Sequence, residues 1–528
     1  MAGTLFSQIF LRERDARTAI RFEDRNISYA ELRSLTIDTA EKLNALGIQP
    51  GARVAVLLND SPEFIASFVA IISLGAIAVP VNMALRKSEQ LTILKDCGAR
   101  LAIIEAGAVE SLPAEKSELT ELSSLLVVSR AEGQRLATFP SGIPSRLFDQ
   151  APRLQLSNSF PAGEADADAF ILYTSGSTGE PKGAVHSQSD IFYTNQTYCR
   201  EVLKLREGDR LFSSSRLPFA YGLGNALTFP LINGHTTVLC REKPTPEVVA
   251  RVFRDHRPTI FFGVPVVYRM LLEHHRAGFS VNTSSLRFCI SAGEALPAQL
   301  GEDWQKTFGV EVLDGIGSTE MLHMWMSNHS GDVRYGSSGK LLNGYEAKLV
   351  DHEGAAIPRG AEGNLWIRGG SAASRYWQRP ETSAQTFVDG WVRTGDLYRC
   401  DEQGFWWHMG RSDDCFKPTG QWVSPVEVEG ALVKCDLIRA AAVVEGFDKD
   451  SLSCVCAFVV PAHDTDREDS VEKSLRILCE TLLPRFKQPR RYIFVSELPY
   501  TATGKVQRFK LREQLRNERK GTAVKIEK

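Results

Sequence analysis

The sequence predicts an α/β protein with two domains. Short apolar runs alternate with helical patterns in two successive rounds, which is typical of helix-covered, mainly parallel sheets. From about residue 335 the pattern changes to short strands and turns, as in a small β-barrel. A glycine-led junction at 410–414 then precedes a fresh set of apolar segments. We therefore predict a large N-terminal domain of two sheets over 1–411, which includes a β-barrel subdomain over 335–411, and a small mobile α+β C-terminal domain over 412–528.

The first round begins with a predicted hairpin at 19–27. Ser28 and Glu31 follow in the pattern of a capping box, so an amphipathic helix should start there and end at Gly47. Three apolar runs beyond it have the length of buried strands: 54–58, 76–79 and 101–104. Residues 105–165 are polar and weakly patterned, which predicts surface loops.

The second round and the C-terminal part contain further strand-like runs. Those of the second round lie at 210–213, 236–239, 259–263, 288–291 and 310–314. The β-subdomain should contain strands at 347–350, 364–367, 391–392 and 405–409. The C-terminal core should contain the apolar segments 426–433, 440–444 and 455–460.

The composition is that of an ordinary globular chain. Of the 528 residues, 43% are hydrophobic and 24% are charged, and the formal net charge is −2, so no overall field attracts nucleic acid or an anionic membrane. The N-terminal segment has no signal-peptide pattern, and polar residues interrupt the most apolar segment, 64–80. The ten cysteines include no CxxC pair, which indicates neither a zinc site nor a disulfide framework. We expect a cytoplasmic protein with no membrane or nucleic-acid partner.

One segment, 173–183, has the composition of a phosphate loop. It reads Y-T-S-G-S-T-G-E-P-K-G and continues an apolar run at 169–173. Glycine permits turns that direct successive backbone N–H groups at one anion, and the hydroxyl groups and Lys182 add donors and charge. No Gly-Lys-Ser/Thr follows at the Walker A spacing. A flexible linker is the alternative interpretation, but the lysine and the apolar lead-in favour a phosphate site.

Further polar clusters lie where strands should end or where the two domains should meet. They are 218–225, 291–297, 314–323, 392–397 with Arg411, and 501–508. In open α/β sheets, ligands bind in the crevice beyond the carboxyl ends of the strands. Glu320 offers a hard oxygen, as a Mg²⁺–polyphosphate requires. Asp396 is suited to accept hydrogen bonds from two ribose hydroxyl groups, although Thr-Gly-Asp is also a common turn. His323 is either a polar group in a pocket or a satisfied buried histidine.

Together these motifs resemble those of the adenylate-forming superfamily, which comprises acyl-CoA ligases, luciferases and nonribosomal adenylation domains. The resemblance covers essentially the whole chain, and its motifs occur in the family's order: 173–183, 218–225, 291–297, 315–320, 394–396 with Arg411, and 504–505. Within the superfamily, F-A-Y-G-L-G-N at 219–225 and D-G-I-G-S-T-E-M-L-H at 314–323 are most similar to benzoate-CoA and hydroxybenzoate-CoA ligases.

The resemblance implies a reaction in two steps. A carboxylate attacks the α-phosphate of ATP to give an acyl-adenylate and pyrophosphate, and the thiol of coenzyme A then displaces AMP. Catalytic roles are implied for Lys505, Tyr221 and Glu320, and Thr174 and Glu320 would hold Mg²⁺. The implied nucleotide-binding residues are Thr174, Ser175, Gly176, Ser177, Thr178, Gly179, Lys182, Gly293, Glu294, Asp314, Gly315, Ile316, Thr319, Asp396 and Arg411.

The resemblance also implies an acyl pocket that suits a flat aromatic ring. Most of its residues are small, and no aspartate stands at the start of 218–225 to pair with the ammonium group of an amino acid. The pocket residues are Ala220, Tyr221, Ala292, Gly293, Gly315, Gly317 and His323.

The resemblance also implies a rotation of the C-terminal domain between the two steps. Lys505 must leave the site before the pantetheine arm of coenzyme A enters, so the domain should turn about a hinge at Asp413. After the rotation, Lys417, Gly420 and Trp422 should line the acceptor channel.

Three alternatives remain open at this point. The chain could load an aryl acid onto the phosphopantetheine thiol of an acyl carrier protein, or it could be a luciferase-type oxygenase, for which no residue selects. It could also bind nucleotide without catalysis, an interpretation that conflicts with the polar residues Lys182, Glu320, Asp396, Arg411 and Lys505.

Two positions depart from the family's pattern. Ile316 stands where many members of the superfamily carry an aromatic residue that stacks on adenine. Pro418 lies in the loop after the hinge.

Overall fold

The computed structural model describes residues 4–112, 118–129, 142–156, 160, 164–175, 181–351, 353–358, 360–416, 418, 421, 423–448, 452–462, 468–500 and 506–526. The chain divides into two compact units, of which the first comprises 1–347 and 367–393 and the second 348–366 and 394–528. The β-subdomain predicted over 335–411 is therefore shared between the units. The predicted domain limit at residue 411 and the hinge at Asp413 stay predictions.

A nine-stranded sheet forms one half of the first unit. Its strands are β1 (Thr18–Phe22), β2 (Arg25–Ser28), β10 (Arg210–Ser213), β11 (Thr236–Leu239), β12 (Ile260–Gly263), β13 (Phe288–Ser291), β14 (Val312–Gly317), β15 (Met324–Ser327) and β16 (Lys340–Leu341). They are ordered β16-β15-β14-β13-β12-β10-β11-β1-β2. The six strands from β14 to β1 are parallel, and β2, β15 and β16 form antiparallel pairs. The predicted hairpin and the predicted strands of the second round are confirmed.

An eight-stranded sheet forms the other half of the first unit. Its strands are β3 (Arg53–Leu57), β4 (Ile77–Pro80), β5 (Leu101–Glu105), β6 (Ser124–Val128), β7 (Ser145–Leu147), β8 (Asp168–Ser175), β9 (Pro181–Ser187) and β19 (Arg375–Tyr376). They are ordered β19-β9-β8-β4-β3-β5-β6-β7, and β3 to β8 pair in parallel.

The prediction of surface loops throughout 105–165 was wrong. β6 is a parallel strand in which Leu125, Leu126 and Val127 are at most 1% exposed. Its apolar run is short and lies between polar stretches, so averaging over the whole segment concealed it.

The helices of the first unit cover both sheets. They are α1 (Leu5–Ile9), α2 (Tyr29–Ala45), α3 (Pro62–Ser73), α4 (Lys87–Cys97), α5 (Gln188–Thr194), α6 (Ala220–Leu223), α7 (Phe229–Ile232), α8 (Pro246–His256), α9 (Pro265–Arg276), α10 (Ala298–Phe308) and α11 (Pro380–Thr386). The Ser28–Glu31 capping box begins α2 as predicted. A π-helical stretch at 224–228 joins α6 to α7, so the aromatic motif 218–225 opens a continuous helix.

The main core of the first unit contains residues of both sheets and of the helices α1 to α3, including Ile20, Val54, Phe68 and Phe170. A second core lies on the eight-stranded sheet beside α4, and a third lies on the nine-stranded sheet beneath α8, α9 and α10. Each sheet is thus buried on both faces, which is why the strands read as continuous apolar runs.

A five-stranded sheet spans the limits of the two units. Its strands are β17 (Glu346–Val350), β18 (Glu362–Arg368), β20 (Phe387–Val388), β21 (Trp391–Cys400) and β22 (Trp406–Arg411). The limits fall within β17, β18 and β21.

The second unit also contains a three-stranded sheet. The remaining strands and helices are β23 (Ile438–Phe447), β24 (Ser453–Pro461), β25 (Arg491–Phe494), α12 (Pro425–Leu432), α13 (Glu468–Leu482) and α14 (Arg508–Ile526). They enclose two apolar cores of their own. Among the described residues of the chain, no helix has the length and apolar character needed to cross a membrane.

Candidate active site

The predicted phosphate loop joins two antiparallel strands. Thr174 near the end of β8 is the register partner of Lys182 near the start of β9, so both residues lie at the loop end of this hairpin. The predicted strand that leads into the loop is confirmed and ends at Ser175. Five residues of the predicted loop, 176–180, lie outside the described residues, and four of them are predicted nucleotide-binding residues: Gly176, Ser177, Thr178 and Gly179.

The hairpin is anchored to the neighbouring helix α4 by Tyr173. Its hydroxyl group donates a hydrogen bond of 2.6 Å to Asp96 Oδ2. Burial, together with nearby Cys97 and Asp96, raises the pKa of Tyr173 far above its ordinary value, so the phenol retains the proton that it donates. Arg379 holds the other oxygen of Asp96 at 2.8 Å. Sequence reasoning missed Asp96 because nothing local distinguishes it from a surface carboxylate.

Tyr376 connects the hairpin with Glu320. Its hydroxyl group donates a 2.6 Å hydrogen bond to Glu320 Oε1, and Lys182 Nζ lies 5.8 Å from the centre of its ring. Lys182 on β9 and Glu320 in the turn after β14, the predicted phosphate- and metal-site residues, therefore both lie next to one buried side chain. Sequence reasoning missed Tyr376, which is distant from both in the chain.

Tyr221 lies across the carboxyl ends of two parallel strands. Its hydroxyl group is 3.2 Å from Ile290 O at the end of β13 and 3.3 Å from Gly263 O at the end of β12. Burial raises the pKa of Tyr221 well above its ordinary value. The single hydroxyl proton of Tyr221 is thus shared between two backbone carbonyl oxygens. A catalytic role for this residue stays a prediction.

His323 is a buried, neutral side chain in an aromatic setting. Its ring centre lies 4.6 Å from that of Tyr198 and 5.7 Å from that of Tyr221, and burial lowers its pKa to about 3. Nε2 is 3.1 Å from Asn225 Oδ1. Among the described residues, His323 Nδ1 and Asn225 Nδ2 are buried without a hydrogen-bond partner. One ring nitrogen is thus hydrogen-bonded, and the other has no hydrogen-bond partner among the described residues.

Glycine is required in β14 by close backbone packing. A Cβ atom at Gly315 would lie 2.6 Å from Met326 O, and one at Gly317 would lie 2.5 Å from His323 O. Gly293, at the end of β13, adopts φ +91°, which a side chain would strain. The predicted thin pocket wall is therefore backbone that packs directly against the next strand.

The remaining predicted residues of the first unit differ in exposure. Ala220, Ala292 and Asp314 are buried, Ile316 and Thr319 are half-buried, and Glu294 is exposed. Asp314 Oδ2 accepts a hydrogen bond of 3.4 Å from Leu296 N.

Asp396 and Arg411 form an ion pair in the second unit. Arg411 Nη1 lies 3.1 Å from Asp396 Oδ1 and His408 Nε2 lies 3.5 Å from the same oxygen. Burial works to raise the pKa of Asp396, but His408 and Arg411 outweigh it and the net shift is downward. The side chain is therefore a carboxylate that can accept hydrogen bonds. Sequence reasoning missed His408, which is brought to Asp396 by the pairing of β21 with β22.

Four of the predicted residues of the second unit lie outside the described residues: Lys505, Lys417, Gly420 and Trp422. Asp413 is exposed in the turn after β22. The roles given to these residues stay predictions.

The first unit thus combines two mainly parallel sheets with a hairpin that carries Lys182 and a turn that carries Glu320. Residues 8–377 match the family of AMP-binding enzymes, and residues 427–505 match the C-terminal domain of the same family. The chain belongs to the AMP-binding enzyme family.

Its relatives include several aryl-acid ligases. A benzoate–CoA ligase of Thauera aromatica is 43% identical over 88% of this chain and 86% of its own. A 3-hydroxybenzoate–CoA ligase of Aromatoleum sp. (strain CIB) is 34% identical over 93% and 92%. The crystal structure of an anthranilate CoA ligase in complex with anthranoyl-AMP superimposes with a TM-score of 0.89 at 36% identity and covers 97% of each chain. The resemblance and the fold class inferred from the sequence are confirmed.

Proposed function

We propose that this chain activates an aryl carboxylic acid with ATP and transfers the acyl group to coenzyme A. The observation that carries the proposal is the shared chemistry of its relatives, whose names specify benzoate, 3-hydroxybenzoate and anthranilate as the acids joined to coenzyme A. All three acids are benzoic acids that differ in one ring substituent. The aromatic surroundings of His323 and the backbone wall at Gly317 suit such a flat ring.

In the first half-reaction, a carboxylate oxygen of the acid attacks the α-phosphorus of ATP. The bond to the β-phosphate breaks, and pyrophosphate leaves with the electron pair. Lys182 and the loop after Thr174 bind the leaving phosphates at the hairpin end. Lys505 bridges the acid and the α-phosphate, where its charge offsets the repulsion between two anions.

Mg²⁺ fits the residues around Glu320. This ion usually takes one or two protein carboxylates together with substrate phosphates, and the part of the chain that the structure describes contains no group of three or more acidic, histidine or cysteine side chains that could hold a metal. Glu320, oriented by Tyr376, and Thr174 would hold the ion. When bound, it would neutralise phosphate charge.

In the second half-reaction, the thiol sulfur of coenzyme A attacks the acyl carbon. The bond to the phosphate oxygen breaks, AMP leaves with the electron pair and the thiol proton passes to solvent. Asp396 and Arg411 bind the ribose of the nucleotide throughout. Rotation about Asp413 replaces Lys505 with the segment that contains Lys417, Gly420 and Trp422. We propose a cytoplasmic location for the reaction, since ATP and coenzyme A are both available there.

The choice of acid is tested by ATP–pyrophosphate exchange with a panel of substrates. We expect exchange with benzoate, hydroxybenzoates and aminobenzoates, and exchange at least tenfold slower with decanoate or phenylalanine, a discrimination of about 1.4 kcal/mol. Exchange that is fastest with a fatty acid or an amino acid would overturn the assignment to aryl acids. Absence of exchange with every acid would instead favour a nucleotide-binding protein without catalysis.

The acceptor is tested by product mass. The enzyme, the preferred acid and ATP are incubated with coenzyme A or with a phosphopantetheinylated acyl carrier protein. We expect the aryl-CoA thioester as the main product. Acylation of the carrier protein alone would show that a carrier-bound thiol is the acceptor.

Removing the Tyr376 hydroxyl group tests how Glu320 is oriented. A hydrogen bond to a charged group contributes about 1.5–3 kcal/mol, so Tyr376→Phe should slow pyrophosphate exchange about tenfold or more while the fold stays intact. Tyr335→Phe is the matched control, since it removes a hydroxyl group that contacts Gln305. Equal exchange rates for the two variants would contradict the orienting role.

A further inference from the structure

His186 is buried between a carboxylate and a backbone carbonyl group. It lies on β9, is 1% exposed and stacks on Phe170 at 5.3 Å between ring centres. Nδ1 is 2.7 Å from Asp190 Oδ2, and Nε2 is 2.7 Å from Thr319 O. Both ring nitrogens therefore make short polar contacts in a site closed to solvent.

The partners determine which atoms carry protons. A backbone carbonyl oxygen only accepts hydrogen bonds, so Nε2 must donate to Thr319 O. The two oxygens of Asp190 accept from the Ser187 hydroxyl group at 2.7 Å and the Ser187 backbone N–H at 3.2 Å, as those of an ionised carboxylate do. Nδ1 donates as well when that carboxylate is ionised. A neutral imidazole has only one N–H, so these contacts favour the imidazolium form over a neutral histidine that accepts a hydrogen bond from a protonated Asp190.

The contact with Thr319 lies at the start of the turn that carries Glu320. This single 3₁₀ turn, Thr319–Met321, ends at Leu322, whose φ of +62° is unusual for a leucine. Ala373 N donates to Glu320 O at 2.7 Å, which secures the middle of the turn. His186 secures its first residue, and it does so from the strand that begins with the Lys182 hairpin.

We propose that His186 is a positioning residue that holds the Glu320 turn in register with the phosphate-binding hairpin. Its imidazolium form is stabilised by the Asp190 carboxylate and makes the bond to Thr319 O a charge-assisted one. The role assigned to Glu320 rests on the proposed function. The protonation state inferred for His186 rests only on its contacts with Asp190 and Thr319 O and is independent of the proposed function.

The protonation is tested by nitrogen NMR of the ligand-free protein labelled with ¹⁵N in its histidine rings. We expect both His186 nitrogens to show the chemical shifts of protonated nitrogen at neutral pH, with the signals assigned by their loss in His186→Gln. In Asp190→Asn, where the carboxylate is gone, one His186 nitrogen should become unprotonated. A wild-type spectrum in which either His186 nitrogen is unprotonated would overturn the proposal.

The positioning role is tested by the Mg²⁺ dependence of pyrophosphate exchange. His186→Gln and Asp190→Asn should each raise the half-saturating Mg²⁺ concentration about tenfold, as expected for the loss of one charge-assisted hydrogen bond. His274→Gln is the control, because it removes a histidine 3.6 Å from Glu247 in helices remote from the turn. A Mg²⁺ dependence unchanged in both variants would overturn the role.

The NMR spectrum and the Mg²⁺ dependence of exchange allow failure of the role of His186 to be distinguished from failure of the proposed function. If wild-type protein catalyses no exchange with any acid, the proposed function fails while the spectrum still decides the state of His186. If exchange occurs and a variant is too unstable to assay, the other variant and the wild-type spectrum decide the inference.

Discussion

Replacing Lys505 with alanine is expected to lower adenylate formation about a thousandfold, the upper range for loss of one preorganised electrostatic contact. Thioester formation from a preformed aryl-adenylate should stay largely intact. The reason is that Lys505 is proposed to bridge the two anions that react in the first half-reaction, whereas in the second half-reaction a thiol attacks the acyl carbon of an adenylate that has already formed. Pyrophosphate exchange measures the first half-reaction, and thioester release from synthetic aryl-adenylate and coenzyme A measures the second.

Lys510→Ala is the matched control for this substitution. Lys510 is an exposed lysine on α14, shortly after Lys505 in the chain, so its removal tests general effects of lost positive charge near that position. Both half-reactions should be unaffected in the control. A loss of equal size in both half-reactions of Lys505→Ala would show that the lysine supports folding or domain docking in general.

The free energy of unfolding is expected to fall as the pH rises from about 4 to about 8. Asp314 is 2% exposed, and burial raises its pKa from 3.8 to about 8. Burial likewise raises the pKa of Asp60 to about 6, against the opposing effects of Arg216 and the Leu217 N–H group. The folded state therefore favours the protonated acids. Their stabilising contribution is complete below the unfolded pKa and is lost as the pH rises through the folded values.

The size of the expected loss in unfolding free energy follows from the pKa shifts of Asp314 and Asp60. At one pKa unit per 1.36 kcal/mol, Asp314 would contribute on the order of 6 kcal/mol and Asp60 on the order of 3 kcal/mol. Denaturant unfolding at about pH 4 and about pH 8 measures the loss of these contributions. Asp314→Asn and Asp60→Asn replace each acid with a neutral side chain of the same shape, so each variant should lose its part of the pH dependence. A variant whose free energy of unfolding keeps the wild-type dependence on pH would show that the replaced carboxyl group does not titrate as expected.

The architecture of the first unit was largely predictable from the sequence. Strands buried on both faces need apolar side chains at successive positions, so β3, β5, β12 and β13 appear as uninterrupted apolar runs. The capping box at Ser28 is also local, because Ser28 and Glu31 bond each other's backbone. β6 escaped prediction because a short strand between polar stretches leaves only a short signal.

The position of the candidate site along the chain was predictable from the sequence. The side chains that contact and orient the site residues were not. Motifs rich in glycine and polar residues identify strand ends: 291–297 begins at the last residue of β13, and 314–323 contains the end of β14, which extends three residues further than predicted. Tyr376, His186 and Asp96 had no detectable signal. Each acts through a contact with a residue distant in the chain, and a single tyrosine, histidine or aspartate within an ordinary segment has no periodicity or spacing that would mark it.

Gly317 shows how a correct location can have a different physical basis. Small residues there indicated space for a thin ring. The structure places the Gly317 backbone against His323 O, where a Cβ atom would be only 2.5 Å away. Substitution would therefore displace the Glu320–His323 turn as well as narrow the pocket.

The sequence by itself determined the α/β class, the order of the motifs and the chemistry that their residue types permit. Those properties depend on local composition, since glycine, hydroxyl and carboxylate groups have the same capacities wherever they lie. Only the tertiary structure decided that Tyr376 joins Lys182 to Glu320, that His186 holds Thr319, and that Asp314 is buried as an acid. Contacts between residues distant in the chain, and the burial of side chains, arise only when the two sheets pack together. These contacts and this burial change the protonation state and the orientation of the side chains.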